Sequence, residues 1–183
     1  SGYYMYLPAI FIYKDLKTCK FQDKILKKYH FTPDFQQAFL HKSGNYVMKY
    51  SCGQAIQYLP FFAIAHKYAL NSQYEADGFS YPYQFMISFG SLLVALIGLW
   101  FLRKILLPYF TDPVIAIVLI CIVIGTNYLD YSAITGAMTH NSLFTIYCLL
   151  IYITIQFYKH PNYIKASGIG LLVGMLLLHG RLK

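Results

Sequence analysis

The sequence predicts an all-α fold: a polytopic helical membrane bundle preceded by an N-terminal extracytoplasmic segment of interfacial helices. Three observations lead there. The apolar share is 57% and the charged share 12%, against about 45–50% and about 25% in soluble domains. Charge is concentrated at the start, with nine Lys and five Asp/Glu in residues 1–82 but six Lys/Arg and two Asp in residues 83–183. The second part is a series of apolar runs separated by short polar joints. A change of solvent near Tyr83 accounts for this better than a change of soluble fold, so the chain divides into residues 1–80 and 81–183.

Taken in order, Tyr3–Tyr13 is strongly apolar, too short to span and interrupted by Pro8; it reads as an amphipathic, interfacial helix. Phe21–Tyr29 is Lys-rich and helical in pattern. Thr32-Pro33-Asp34 reads as a helix start, Thr32 capping and Pro33 opening, with Phe35, Phe39 and Leu40 on one face. Tyr50–Ala65 is uncharged but carries Ser51, Gln54, Gln57 and Pro60. It reads as a helix on or dipping into the outer surface, or as a membrane helix that would carry residues 1–45 to the other side.

The strongest span is Gly78–Leu102, 25 residues without a charge, closed by Arg103-Lys104. Asp112-Pro113 opens a second run, since proline suits the first helical position. A third ends at Lys159-His160-Pro161, and a fourth, Ala166–Leu178, is too short to cross alone, because a core of about 30 Å takes about 20 residues. Helices are expected near 81–104, 113–130, 141–158 and, in part, 164–180. Lys and Arg mark the joints 103–112 and 159–165, whereas 126–141 has neither. The bias of positive charge toward the cytoplasm puts 126–141, and residues 1–80, outside. Tyr81, Tyr83, Tyr128, Tyr131 and Tyr158 fall at span ends as an aromatic belt.

The net charge of +8 does not point to nucleic acid, because Lys14, Lys17, Lys20, Lys24, Lys27 and Lys28 are scattered as on a solvated helix face. Contact with anionic headgroups is the alternative use of them. Cys19, Cys52, Cys121 and Cys148 have neither CxxC nor zinc spacing. Phosphate-loop, dinucleotide, metalloprotease, nucleophile-elbow and EF-hand signatures are all missing. The abrupt start at Ser-Gly-Tyr-Tyr and the truncated fourth run read as a fragment of a longer protein.

Few carboxylates remain to carry acid–base chemistry. Glu75 and Asp77 stand one residue apart before the first span, and in extended chain their side chains point the same way. They are placed to share a divalent cation or to divide base and electrostatic roles, or else mark a polar turn at Asp77-Gly78. Asp15, between Lys14 and Lys17, is a third candidate base or an exposed ion pair. Asp130 lies in the outer joint, at a cavity mouth or in a solvated loop. His140 and Asn141 open the third span, where helix N–H groups suit an anion such as phosphate; capping by Thr139 or Asn141 is the alternative. Gln54 and Gln57 face either a polar cleft or water.

Three segments together, Gly-Tyr-Tyr-Met-Tyr-Leu-Pro-Ala at the start, Gly-Gln-Ala-Ile-Gln-Tyr-Leu-Pro-Phe-Phe from Gly53 and Gly-Ala-Met-Thr-His-Asn-Ser-Leu-Phe from Gly136, resemble the bacterial membrane glycosyltransferases of the GT-C superfamily. The likeness is to the family 39 or protein-mannosyltransferase-like group. It implies a multi-pass protein of the bacterial inner membrane, with a first outer loop of helices parallel to the bilayer. It also implies a polyprenyl-phosphate-linked sugar as donor and an acidic residue early in that loop as general base, with inversion at the sugar. No acid precedes Gly2-Tyr3-Tyr4 here, which leaves Asp77, Glu75 and Asp15 as substitutes. Substrate-binding candidates are Tyr3, Tyr4, Gln54, Asp130, His140 and Asn141. A non-catalytic membrane subunit or scaffold is the competing reading, ahead of a transporter, whose spans usually carry polar groups near mid-membrane.

Overall fold

A computed structural model describes residues 2–29, 37–136 and 138–179, and the chain is mostly helical with two short strands. It forms two compact units, Ser1–Ile87 and Ser88–Lys183.

The first unit contains α1 (Tyr6–Phe11), α2 (Phe21–Tyr29), β1 (Ala38–Leu40), β2 (Tyr46–Met48), α3 (Gly53–Leu70) and the start of α4 (Tyr81–Leu106). Its core is built on α3, whose Gln54, Ala55, Tyr58, Phe62, Ala65 and Ala69 recur at helical spacing and are buried. α1 packs against α3 and buries Leu7, Pro8 and Ala9. The Tyr4 ring meets Phe62 and Phe79 edge-on at 6.1 and 6.0 Å, a favoured arrangement for aromatic quadrupoles. α2 buries Phe21 and Ile25 and turns its lysines to solvent.

Three expectations change here. The helix within Tyr3–Tyr13 is six residues long and packs into the unit; only Ile10 and Phe11 at its end are exposed. Lys14, at φ 50, follows it in a conformation that cannot continue a right-handed helix. Phe39 and Leu40 lie in an antiparallel hairpin, Phe39 opposite Val47 and Leu40 opposite Tyr46, not on a helix. The turn His41–Asn45 closes with His41 N–H donating to the Asn45 carbonyl at 2.9 Å and Gly44 at φ +80, which supplies the turn geometry that glycine permits. Thr32, Pro33, Asp34 and Phe35 lie outside the described residues. Finally, the apolar stretch from Tyr50 becomes α3, the core helix of this unit, with Pro60 on its exposed side.

The second unit comprises the rest of α4, α5 (Asp112–Gly125), a π-helical turn at Asp130–Ile134, α6 (His140–Lys159) and α7 (Tyr163–His179). α4 and α6 are long and apolar enough to cross a membrane; α5 and α7 are apolar but shorter. The second expected span, 113–130, therefore stops at Gly125, where Thr126 turns extended. The joint 126–141 contains the π-turn instead of a plain loop. α4 approaches α6 at Gly98, where an added Cβ would meet Thr145 Oγ1 and the Phe144 ring. There Thr145 Oγ1 donates to the Val94 carbonyl at 2.8 Å. α6 and α7 pack along each other across a short connection. Lys165 Nζ closes that end by donating to the Gln156 and His160 carbonyls at 3.0 and 2.6 Å, as cations near a helix C-terminus do.

Candidate functional site

The loop Glu75–Ser80, leading into α4, gathers polar side chains from most of the first unit. Asp77 is the centre. Its Oδ1 accepts the N–H groups of Phe79 and Ser80 at 2.8 and 2.9 Å, fixing the turn ahead of the helix as an aspartate in a turn does. Its Oδ2 accepts the Tyr29 hydroxyl at 2.6 Å and Lys28 Nζ at 3.0 Å. Lys28 also binds the Glu75 carboxylate. Tyr13 donates to the Asp77 carbonyl at 2.9 Å, and Tyr4 to the Gly78 carbonyl.

Gly78 is required at this point. Its φ is +85, and an added Cβ would lie 2.8 Å from Pro8 Cβ and 3.1 Å from Ile12 Cδ1. The loop thus sits against α1, and α2 holds it by charge.

Electrostatics follow from this packing. Burial works to raise the Asp77 pKa, but hydrogen bonds from Tyr29, Phe79, Lys28 and Ser80 outweigh it and hold the carboxyl below its usual range. Burial, then the bond to Asp77, pushes Tyr29 up to about 12. Tyr4 and Tyr13 are raised by burial first, with Asp77 adding to it. The bond to Glu75 chiefly keeps Lys28 protonated, its pKa raised. Asp77 is therefore an anion with both oxygens occupied, a structural acceptor rather than a free base. Glu75 is more exposed, 67% against 12% for the Asp77 side chain, and its bond to Lys28 uses one oxygen.

The two carboxylates that the sequence sets side by side both pair with the Lys28 ammonium. No group of three or more His, Cys, Asp or Glu suited to a metal occurs among the described residues. Asp15 stands apart from this cluster. It binds its own loop, accepting Thr18 N–H, the Thr18 hydroxyl and Lys20 N–H at 2.8, 2.6 and 3.0 Å. The Thr18 hydroxyl leads in lowering its pKa to about 2. The expected ion pair with Lys14 or Lys17 does not form.

Beside the cluster lies a groove of about 320 Å³, within the usual size of ligand pockets. Ile64, Ala65 and Tyr68 of α3 line it with Tyr74 and with Tyr81, Pro82, Phe85 and Met86 of α4. The rings of Tyr68, Tyr74, Tyr81 and Phe85 follow one another at 6.1–6.4 Å between centroids. Of these, the sequence marks only Tyr81, as a belt residue at a span end; the convergence of the rings needs the α3–α4 turn. On α3, His66 Nδ1 and the Tyr83 hydroxyl share a hydrogen bond at 2.5 Å, a pair that no motif marks.

The remaining candidates fall elsewhere. The Tyr3 ring lies against that of Tyr50, tilted by 35° with centroids 4.3 Å apart, and Tyr4 is a core residue of the loop cluster. Gln54 is fully buried, facing neither cleft nor water, with both amide atoms unpaired among the described residues.

In the second unit, Asp130 accepts the Thr135 hydroxyl at 3.0 Å and starts the π-turn. His140 is exposed and stacks on Tyr131 at 4.6 Å. Asn141 is buried and donates to the Tyr128 carbonyl at 3.3 Å, so it neither caps α6 nor reaches outward. Thr139 occupies the N-cap position without a side-chain capping bond.

Compared with known proteins, the chain matches no family model, no curated protein and no solved structure.

Proposed function

We propose that this chain is the outer segment and part of the bundle of a multi-pass bacterial inner-membrane glycosyltransferase. It would move a sugar from a polyprenyl-phosphate donor to an acceptor hydroxyl on the extracytoplasmic face. The groove carries this reading. It is apolar and aromatic, opens at the start of the longest apolar helix, and includes Tyr74, which directly precedes Glu75. An isoprenoid chain suits the lining, and the polypeptide passes directly from Tyr74 of the groove to Glu75.

Of the three candidate bases, Glu75 is the best placed to accept a hydroxyl proton, because Asp77 is committed to four donors and Asp15 to its own loop. General-base assistance contributes about 10²–10⁴-fold. The many exposed apolar side chains of α4 and α5 support the bilayer as their surroundings. The saturation of Asp77 also favours a second reading, a non-catalytic membrane subunit in which the cluster only braces the loop.

Native mass spectrometry of the full-length protein, given a polyprenyl-phosphate sugar, separates the two. Retention that is lost in Tyr68→Ala and Tyr81→Ala, with transfer reduced at least about 100-fold but lipid kept in Glu75→Gln, supports the enzyme. Retention of ordinary phospholipid alone leaves the scaffold.

A further inference from the structure

The loop between α1 and α2 and the β1–β2 hairpin share one surface. Tyr46 N–H donates to the Lys17 carbonyl at 2.7 Å, which sets Leu16 and Lys17 beside the Leu40–Tyr46 pair of the hairpin. Around this join Leu16, Tyr46 and Leu40, the last 64% exposed, are large apolar side chains open to solvent; Leu40 and Tyr46 are cross-strand partners on one face of the hairpin, and the next pair, Phe39 and Val47, points to the other face. Such clustering on a surface marks an interaction site more often than isolated exposed residues do.

Lysines frame it. Lys14, Lys17 and Lys20 lie in the loop, Lys42 in the hairpin turn and Lys49 just after β2, all exposed. Lys20, Lys24 and Lys27 fall at i, i+4 and i+7 and extend the basic face along α2. Among the described residues the acids nearby are Asp15, whose oxygens are bonded to Thr18 and Lys20 N–H, and Asp23. Asp15 thereby fixes the loop that presents Leu16 between Lys14 and Lys17.

We propose that this patch docks onto the surface of an anionic phospholipid bilayer. Leu16, Leu40 and Tyr46 enter the boundary between headgroups and acyl chains, and Lys14, Lys17, Lys20 and Lys42 lie on phosphate and anionic headgroups. Apolar area plus basic charge is what binds a monotopic surface. Each Lys near such a surface strengthens binding about fivefold. The docking rests on the membrane part of the functional proposal but needs neither a lipid-linked sugar nor transfer.

Hydrogen exchange of the full-length protein tests it in two kinds of nanodisc, phosphatidylcholine alone and phosphatidylcholine with phosphatidylglycerol. Exchange of residues 14–20 and 38–49 is expected to slow at least about tenfold in the anionic discs. High salt reverses the effect, and Lys14→Gln/Lys17→Gln/Lys20→Gln abolishes it while α3 exchange stays unchanged. Equal exchange in both discs, with the protein incorporated, overturns the docking alone. Failure to incorporate overturns the membrane reading and the docking with it.

Discussion

The two units satisfy their buried polar groups in opposite ways. In the first, the loop before α4 receives donors from residues 47 to 74 positions away, and one of them is a lysine shared by two carboxylates. In the second, the long-range bonds are neutral and single. Thr145 binds the Val94 carbonyl, Tyr128 the Ala95 carbonyl, Ser91 the Tyr131 carbonyl and Asn141 the Tyr128 carbonyl. The ion pair of the second unit among the described residues, Arg103–Asp112, is exposed at a helix end. Charge is used where water can solvate what is left over. Neutral hydroxyl- and amide-to-carbonyl bonds are used between the apolar helices, where a lone buried charge would be costly.

Substituting Gly78 is the harshest way to break the first arrangement. Gly78→Val forces a left-handed backbone on a β-branched residue and drives its Cβ into Pro8. A loss of about 3 kcal/mol is expected, read as a large fall in thermal midpoint in detergent. Gly125→Ala, whose Cβ meets nothing within 4 Å, should leave the midpoint unchanged or slightly higher.

In the second unit Gly98→Ala places a Cβ 2.4 Å from Thr145 Oγ1. Rotation of the threonine relieves the clash at the expense of its bond to Val94, so a loss of about 1–2 kcal/mol is expected. Thr145→Val on the Gly98→Ala background tests the origin: near-additive losses would contradict the shared contact.

Asp77→Asn comes next. It keeps an acceptor for Phe79 and Ser80 but sets an amide against Lys28, at about 1–2 kcal/mol. The native carboxyl has a lowered pKa, so its contribution is complete above the unfolded value near 4 and is lost as pH falls through the folded value. Wild type should therefore lose stability below about pH 4, and Asp77→Asn should flatten that slope. Parallel acid profiles would remove Asp77 from the account. The mildest change is Glu75→Gln, which removes an exposed ion pair and should move stability by less than about 1 kcal/mol.

Much of this contrast was legible in the sequence, for local reasons. Gly78–Leu102 carries no charge, so α4 is unmistakable, and Asp77-Gly78 announces the turn before it. The pairing of Glu75 and Asp77 was legible too, but not their partner, because Lys28 is nearly 50 residues away and nothing local ties it to them. The hairpin was hidden by the helix-start signal of Thr32-Pro33-Asp34 upstream. Leu40 and Tyr46 pair across a turn whose glycine gives only a weak cue. α5 stops early because its apolar run passes through Gly125 and Thr126, where the backbone turns extended without a change in hydropathy. The groove was invisible, since Tyr68, Tyr74 and Tyr81 belong to no single periodic face and meet only when α3 turns back toward α4.

The proposed function requires that the first unit present a lipid-linked sugar to chemistry at the membrane surface. A polyprenyl phosphate bearing a photoreactive group in its chain, added to the full-length protein in proteoliposomes, tests it most directly. Crosslinks are predicted at Tyr68, Tyr81, Phe85 or Met86, displaced by unlabelled polyprenyl-phosphate sugar. Crosslinks spread along α5 and α7, undisturbed by that competitor, would contradict it.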